Sequence, residues 1–372
     1  MIGPDKKMDG VKQAPGGVLI MAGGTGGHIF PGLAVAESLR RHKVPVRWLG
    51  ARGAMECQRV PDAGFQIDVV EITGLRGKGL LRWLRVPVQL FRAVKQAFQL
   101  IGKNRPACAL SFGGYAAGPG GLAVRLRGIP LLVHEQNRIP GLTNRVLARL
   151  AKRVFQAFPG TWPPSMNATT SGNPVRAEVA NLAEPAERMQ NRAGAFHLLV
   201  TGGSQGARTL NRVLPQAISS PGMDVKLEIR HQAGRGNAEE TAKAYADAGL
   251  SAQVDEFIED MAGAYAWADL VVCRSGALTV SELAAAGIGA VLVPFPFAVD
   301  DHQTRNAEFL VEAGAARLLP ESDCTPQQLC ELLVELLASR TTLLQMAQSA
   351  RAVALPDAAG QVAQACMEIT RT

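Results

Sequence analysis

Two glycine-rich turns constrain this chain more than any other feature: Ala22-Gly23-Gly24-Thr25-Gly26-Gly27-His28 and Thr201-Gly202-Gly203-Ser204-Gln205-Gly206-Ala207. Each follows a short apolar run, Val18 to Met21 and Phe196 to Val200, and each opens a segment whose apolar residues recur at helical spacing. Both read as strand, tight turn, helix. Such a turn needs glycine for positive φ and for close approach of a ligand to the main chain. It aims backbone N–H groups and the positive end of a helix dipole at one spot, which suits phosphate. One turn of this kind is weak evidence. Two, one per half, predict an α/β chain of paired nucleotide-fold domains facing a cleft.

The length of 372 residues fits two domains. Strand candidates alternate with helical periodicity throughout. In the first half they are Val18–Met21, Val46–Leu49, Ile67–Val70, Ala107–Phe112, Ile129–Val133 and Arg153–Ala157. In the second they are Phe196–Val200, Leu227–Arg230, Gln253–Phe257, Leu270–Val272, Ala290–Pro294 and Ala316–Leu319. The alternation implies βαβ crossovers and parallel sheets. Residues 1–17 are polar and carry Lys6, Lys7 and Lys12, so they read as a flexible tail and not a signal peptide. The joint is expected near Gly172-Asn173-Pro174-Val175, giving a first domain over 18–172, a second over 173–356 and a C-terminal helix over 357–372. The six cysteines form no C-x-x-C pair, so no zinc cage or disulfide framework is expected, and a reducing cytoplasm fits. The uncharged stretches Pro106–Val124 and Leu283–Val299 approach membrane-span length, but glycine and proline interrupt both, and buried strand plus loop is the better reading.

Charge divides the halves. Residues 1–177 carry 25 Lys+Arg against 8 Asp+Glu, and the remainder 14 against 24. No acidic residue occurs between Glu71 and Glu135, where Arg76, Lys78, Arg82, Arg85, Arg92 and Lys95 interleave with Leu80, Leu81, Trp83, Leu84, Leu90 and Phe91. Basic residues mixed with large apolar ones are what an anionic membrane surface attracts. The competing reading is a helix after Pro87 whose Leu90, Phe91, Val94, Phe98 and Ile101 face a core, with a solvated basic side. Phe91 and Phe98 at core-facing spacing leave little for base stacking, so nucleic acid is not an expected partner.

The dinucleotide fingerprint G-x-G-x-x-G fails at the first turn, where Ile29 takes the last glycine's place, and no acidic residue ends the next strand. Gly118-Pro119-Gly120-Gly121 matches by chance, and no Walker A sequence exists. A third constellation, Cys273-Arg274-Ser275-Gly276-Ala277-Leu278-Thr279-Val280-Ser281-Glu282, again runs from strand end through glycine into a helix. Arg274 brings a guanidinium to where a diphosphate would lie. Glu282 is suited to accept from both hydroxyls of a ribose, or else Ser281 and Glu282 serve the electrostatics of the helix terminus.

Together these motifs, with Gly113-Gly114-Tyr115, His134-Glu135-Gln136-Asn137 and Gly172-Asn173-Pro174-Val175-Arg176, make a set that closely resembles the MurG family of peptidoglycan N-acetylglucosaminyltransferases, from about Val18 to Ala316. The resemblance implies a GT-B fold, two Rossmann-like doubly wound parallel-sheet domains around a cleft. It implies inverting transfer of N-acetylglucosamine from UDP-GlcNAc to the C4 hydroxyl of the muramoyl sugar of lipid I, giving lipid II for cell-wall synthesis. The place would be the cytoplasmic face of the plasma membrane. By the same resemblance, Ile258 and Ala277, Leu278, Thr279, Val280, Ser281 and Glu282 hold uridine and ribose, and Ser204 and Arg274 the diphosphate. Thr25, Gly26, Gly27, Asn137, Arg176 and Gln303 complete the donor site. His302 departs from the family, which often has two adjacent glutamines there.

The chemistry asks for a base to take the acceptor proton and donors for the departing UDP. His28, at the start of the first helix, is the candidate base, because a helix N-terminus disfavours imidazolium. Its rival role is to bond backbone within the turn. Glu135 is the reserve, and His134 and His302 are read as sugar or acceptor contacts. No D-x-D pair is present, so neither a metal nor another cofactor is expected. The second turn is assigned to the donor diphosphate beside Arg274, and the first to the acceptor's pyrophosphate and the proton transfer.

Overall fold

The computed structural model describes residues 16–72, 80–203 and 206–370, without the side chains of 80–86 and Val299. Residues 1–15 of the tail expected over 1–17, Arg76 and Lys78, and the diphosphate candidate Ser204 lie outside these residues. The chain runs β1 (Val18–Ala22), α1 (Gly26–Arg41), β2 (Val46–Ala51), α2 (Glu56–Asp62), β3 (Gln66–Val70), α3 (Leu80–Lys103), β4 (Cys108–Gly113), α4 (Ala117–Leu126), β5 (Leu131–Glu135), α5 (Leu142–Ala148), β6 (Arg153–Gln156) and β7 (Thr169–Thr170). It continues α6 (Ala177–Ala180), α7 (Pro185–Met189), β8 (Phe196–Thr201), α8 (Arg208–Ile218), β9 (Leu227–Gln232), α9 (Ala238–Asp247), β10 (Gln253–Asp255), α10 (Met261–Trp267), β11 (Leu270–Cys273), α11 (Ala277–Ala286) and β12 (Gly289–Leu292). Last come α12 (His302–Glu312), β13 (Ala316–Leu318), α13 (Pro326–Leu337), α14 (Arg340–Ala352) and α15 (Ala358–Thr370).

Two sheets form, ordered β3-β2-β1-β4-β5-β6-β7 and β10-β9-β8-β11-β12-β13, and every described strand pair is parallel. Counted from its own first strand, the second sheet has the order 3-2-1-4-5-6, the dinucleotide-fold order that also opens the first. Each strand expected from the sequence is present, with ends displaced by a residue or two. They were readable because a parallel sheet covered on both faces demands continuous apolar runs; β1 and β4 are buried at every position. Two compact units divide the chain. Of the described residues, one gathers those up to His134, Leu142–Val154 and those from Val362; the other gathers Glu135–Gly141 and those of Phe155–Gln361. The Gly172-Asn173-Pro174-Val175 run lies inside the second.

In the first unit, α3 turns out differently from the core-facing helix of the periodicity. Among its described side chains the buried ones are Ala93, Ala97 and, as expected, Ile101, while Phe91 is 70% exposed and Phe98 lies under the Arg127 guanidinium at 3.8 Å. The small alanines let α4 pack closely on α3, and that contact decides which stripe turns inward. Gly120 and Gly121 are helical glycines, where a Cβ would stand 2.6 Å from Leu49 and 2.5 Å from Leu147. They permit close packing of α4, and the apparent cofactor motif is chance. Over the back of this unit, α15 buries Val362, Ala363 and Cys366; the Cys108 thiol reaches the Cys366 carbonyl at 3.8 Å, and Arg153 pairs with Glu368 at 2.7 Å.

In the second unit, arginines cap helix ends. Arg188 donates to the carbonyls of Ala286 and Gly287 at the end of α11, and Arg192 to those of Ala266, Trp267 and Ala268 at the end of α10. Burial, then the neighbouring Arg192 and Arg351, pull the Arg188 guanidinium down to about 10. Under the second glycine turn runs a buried polar chain. The Tyr245 hydroxyl meets His231 Nδ1 at 2.9 Å, His231 Nε2 meets Asn211 Oδ1 at 3.0 Å, and Asn211 Nδ2 donates to the Ala233 carbonyl at 3.0 Å. One donor and one acceptor satisfy the neutral ring, and burial holds its pKa down to about 3. The unfolded chain therefore takes up a proton that the fold refuses, so stability is full above pH 6.5 and falls as pH drops from 6.5 towards 3. The slope is at most about 1.4 kcal/mol per pH unit for this one group. Urea unfolding across that range is expected to show the acid limb, and His231→Gln to flatten it.

Candidate active site

Both sheets reverse strand order between their first and fourth members, and in an open parallel sheet that reversal leaves a crevice at the carboxyl ends of the strands where ligands bind. The glycine turns stand there. One follows β1 beside the turn after β4; the other follows β8 beside the turn after β11.

In the first unit Gly24 and Gly114 adopt φ of +90° and +95°, and a Cβ on Gly114 would lie 2.3 Å from the Gly23 carbonyl oxygen. Beneath the turn, the buried Glu56 carboxylate accepts from Gly24 N–H at 3.0 Å and Ala51 N–H at 2.9 Å. Thr25 caps α1 in extended conformation, and its carbonyl accepts from the N–H of His28 and Ile29. Gly26 and Gly27 supply the first N–H groups of the helix, which have no acceptor within it. His28 Nδ1 lies 3.1 Å from the Gly23 carbonyl oxygen. A carbonyl only accepts, so Nδ1 carries the hydrogen, and the neutral ring has its lone pair on Nε2. That nitrogen is directed at the Gly113 turn, 3.5 Å from where a Gly113 Cβ would stand. His134 is fully buried with its ring 5.3 Å from Phe112, out of a ligand's reach.

In the second unit Gly203 and Gly206 take positive φ, and a Cβ on Gly206 would lie 2.1 Å from the Ala233 carbonyl oxygen. The Gln232 side chain ties this turn to Ile258: its amide donates to the Gly203 carbonyl at 3.0 Å and its oxygen accepts from Ile258 N–H at 3.2 Å. Arg274 donates to the carbonyls of Val293 and Pro294 at 3.1 and 3.0 Å, pairs with Glu321, and sits 5.5 Å from the Phe295 ring. Gln303 accepts from Phe295 N–H at 2.9 Å, so it braces the loop that carries these carbonyls. Next to Arg274, burial pushes the Cys273 thiol up to about 12, which removes it as a nucleophile.

Helix α11 brings its residues to different partners. Ala277 accepts from Ser281 Oγ at 2.9 Å, and Asn173 Nδ2 donates to Ser281 Oγ at 3.1 Å and to the carbonyls of Gln136 and Ala277. Val280 is core, whereas Leu278 and Thr279 are only half-buried. Glu282 is buried, with Oε1 accepting from Arg176 at 2.8 and 3.0 Å and Oε2 from the Tyr265 hydroxyl at 3.2 Å. Burial raises the Glu282 pKa against the opposing pull of Arg176; burial lowers that of Arg176, but Glu282 more than restores it. Asn137 is bound on both sides, with Nδ2 donating to Glu135 and Oδ1 accepting from Asn306 Nδ2 at 3.2 Å. Glu135 also accepts from the N–H of Asn137 and Gly141, which makes it the organiser of its own loop.

The structure thus gathers Arg176 with Glu282, Arg274 with Gln303 and Asn137 with its loop in the second unit, and Thr25, Gly26, Gly27 and His28 in the first. Four positioning residues escape sequence reasoning: Glu56, Gln232, Tyr265 and Asn306. Asn306, fully buried, accepts from Arg138 N–H at 2.9 Å and donates to the Ser275 carbonyl. Its one signal was a lone amide on the apolar face of α12 beside Ala307 and Leu310. Among the described residues, no group of three or more His, Cys, Asp or Glu is placed to hold a metal ion.

Residues 18–156 match the glycosyltransferase family 28 N-terminal domain, and residues 197–362 match the glycosyltransferase family 28 C-terminal domain. The chain is 56% identical over 351 residues to the UDP-N-acetylglucosamine–N-acetylmuramyl-(pentapeptide) pyrophosphoryl-undecaprenol N-acetylglucosamine transferase of Xanthomonas axonopodis pv. citri (strain 306), covering 94% of this chain and 82% of that protein. The protein of the same name from Nitrosococcus oceani is 53% identical over 352 residues, 95% and 98% of the two chains. The crystal structure of Acinetobacter baumannii MurG superposes with a TM-score of 0.84 at 42% identity, covering 95% of this chain and all of that one.

The braces under the site make a direct prediction. Glu56→Gln turns an amide N–H2 towards one of two buried N–H donors, and Asn306→Leu strips partners from Arg138 N–H and the Ser275 carbonyl. Each is expected to cost about 1–3 kcal/mol in urea unfolding; unchanged stability would remove the bracing role.

Proposed function

Since the chain belongs to the MurG family of UDP-N-acetylglucosamine-dependent transferases, we infer that it carries out that family's reaction. It transfers N-acetylglucosamine from UDP-GlcNAc to lipid I, forming lipid II. A UDP-GlcNAc epimerase of the same fold is the less supported reading, because the named relatives at 53–56% identity are transferases over nearly the whole chain.

The observation that carries the mechanism is the His28 ring. With Nδ1–H donated to the Gly23 carbonyl, Nε2 is the basic nitrogen. The acceptor's C4 hydroxyl gives its proton to Nε2 while its oxygen forms a bond to the anomeric carbon of N-acetylglucosamine. The bond from that carbon to the β-phosphate oxygen breaks, its electron pair leaves with UDP, and the configuration inverts. Charge growing on UDP is met in the second unit by Arg274, held in place by two carbonyls, Glu321 and Phe295, and by the first N–H groups of α11. Leu278 and Thr279, half-buried at the start of α11, and Ile258, whose N–H is fixed by Gln232, suit a uracil contact. The first turn suits the pyrophosphate of the acceptor.

Peripheral attachment to the cytoplasmic face of the plasma membrane is the reading for place. It is supported by exposed Val88, Phe91, Leu126, Leu142 and Val146 on α3, α4 and α5, which pack as neighbours. The exposed Arg92, Lys95, Arg125 and Arg145 lie on the same helices, and the exposed Arg149 in the turn after α5. Among the described residues no helix is long and apolar enough to cross a membrane. Basic residues near an anionic surface contribute about 1 kcal/mol each.

Three measurements test this. Labelled UDP-GlcNAc with a short-chain lipid I analogue is expected to give disaccharide in excess chelator; complete loss on chelation would sink the metal-free mechanism. His28→Ala is expected to lower kcat by roughly 10²–10⁴ with UDP affinity unchanged, and full turnover would remove the base assignment. Phe91→Glu is expected to weaken sedimentation with anionic vesicles while turnover of the short-chain acceptor stays constant.

A further inference from the structure

The first unit carries a cavity of about 430 Å³ that neither glycine turn touches. Its walls are the beginnings of β1 and β2, at Gly17–Leu19 and Pro45–Arg47, and the carboxyl end of α3. The glycine turn stands at the other end of the same β1 strand, so this is the opposite edge of the sheet.

The lining is divided by chemistry. Leu19, Leu49 and Ile101 are buried and form an apolar floor, with Leu100 beside them. At the mouth, Arg47 binds Asp68 through both oxygens at 2.9–3.2 Å, which cancels one charge of each sign. Lys103 and Arg105 are exposed, and neither makes an ion pair among the described residues; Arg105 Nη2 only donates to the Arg127 carbonyl. An apolar pocket under two uncompensated cations fits a ligand with an apolar body and one anionic end. The lining has no aromatic ring to stack a base or a sugar face, and its floor offers no side-chain donor to a polyol. The volume falls in the usual small-ligand range of about 300–1,000 Å³.

We propose that this cavity binds a single-chain anionic amphiphile, with an alkyl chain on Leu19, Leu49, Leu100 and Ile101 and a carboxylate at Lys103 and Arg105. The site is separate from the exposed helix face around Phe91 and does not depend on the transferase reading.

Decanoate, titrated calorimetrically into the full chain below its micelle concentration, tests it. One saturable site is expected, with acetate and decyltrimethylammonium failing to bind, since the one lacks the chain and the other reverses the charge. The double variant Lys103→Glu/Arg105→Glu, altered only at exposed positions, is expected to weaken binding about tenfold or more. Leu100→Trp, which fills the cavity, is expected to abolish it. Absence of saturable binding overturns the proposal. So does binding indifferent to the charge-reversed variant, or binding lost in Phe91→Glu but kept in the charge-reversed protein, which would put the amphiphile on the outer helix face.

Discussion

At each switch point one stretch of main chain rests on another with no side chain between them. Gly114 lies on the Gly23 carbonyl, and Gly206 on the Ala233 carbonyl, with room for neither a Cβ nor a shift. This contact fixes where the strand ends stop and where the following helices begin, and so where their free N–H groups point. Buried polar groups then hold the carbonyls and amides in place from below. Glu56 takes the Gly24 and Ala51 N–H groups in the first unit. In the second, Asn211 donates to the same Ala233 carbonyl on which Gly206 leans. The two turns look alike in sequence, yet a carboxylate supports one and a neutral histidine–asparagine–tyrosine chain supports the other.

The site of the second unit is paired before any ligand arrives. Arg176 and Glu282 hold each other, and Tyr265 takes the remaining oxygen. Glu282 is buried and already accepts three hydrogen bonds, so the ribose role given to it competes with partners in place, which backbone groups at the start of α11 do not face. Arg274 is likewise paired, with Glu321, and is oriented by the Val293 and Pro294 carbonyls and the Phe295 ring. Orientation fixed beforehand reduces the ordering required when a phosphate binds.

The architecture was legible because its strongest demands are local. Covered parallel strands need unbroken apolar runs, and tight strand-to-helix turns need glycine. What was not legible depends on partners far away in the chain. Glu56 serves a residue 32 positions off, Gln232 one 29 off and Asn306 one 168 off, and no short window contains these partners. Arg176 and Glu282 were visible as charges, but their mutual pairing across 106 residues was not. Phe91 shows a different limit: periodicity offers two stripes on α3, and only the packing of α4 against Ala93 and Ala97 selects the inward one.

The last helix has a consequence for how the chain is made. The thiol of Cys108 in β4 meets the carbonyl of Cys366 in α15, 258 residues later. At roughly 5–20 residues per second, a nascent first unit waits some tens of seconds on the ribosome before the helix that covers this part of its sheet is synthesised. Throughout that interval the strand's back face is bare, while everything needed for the second unit emerges and can fold. The half begun first is therefore the half completed last, and the nascent chain is most open to off-pathway association along that uncovered strip.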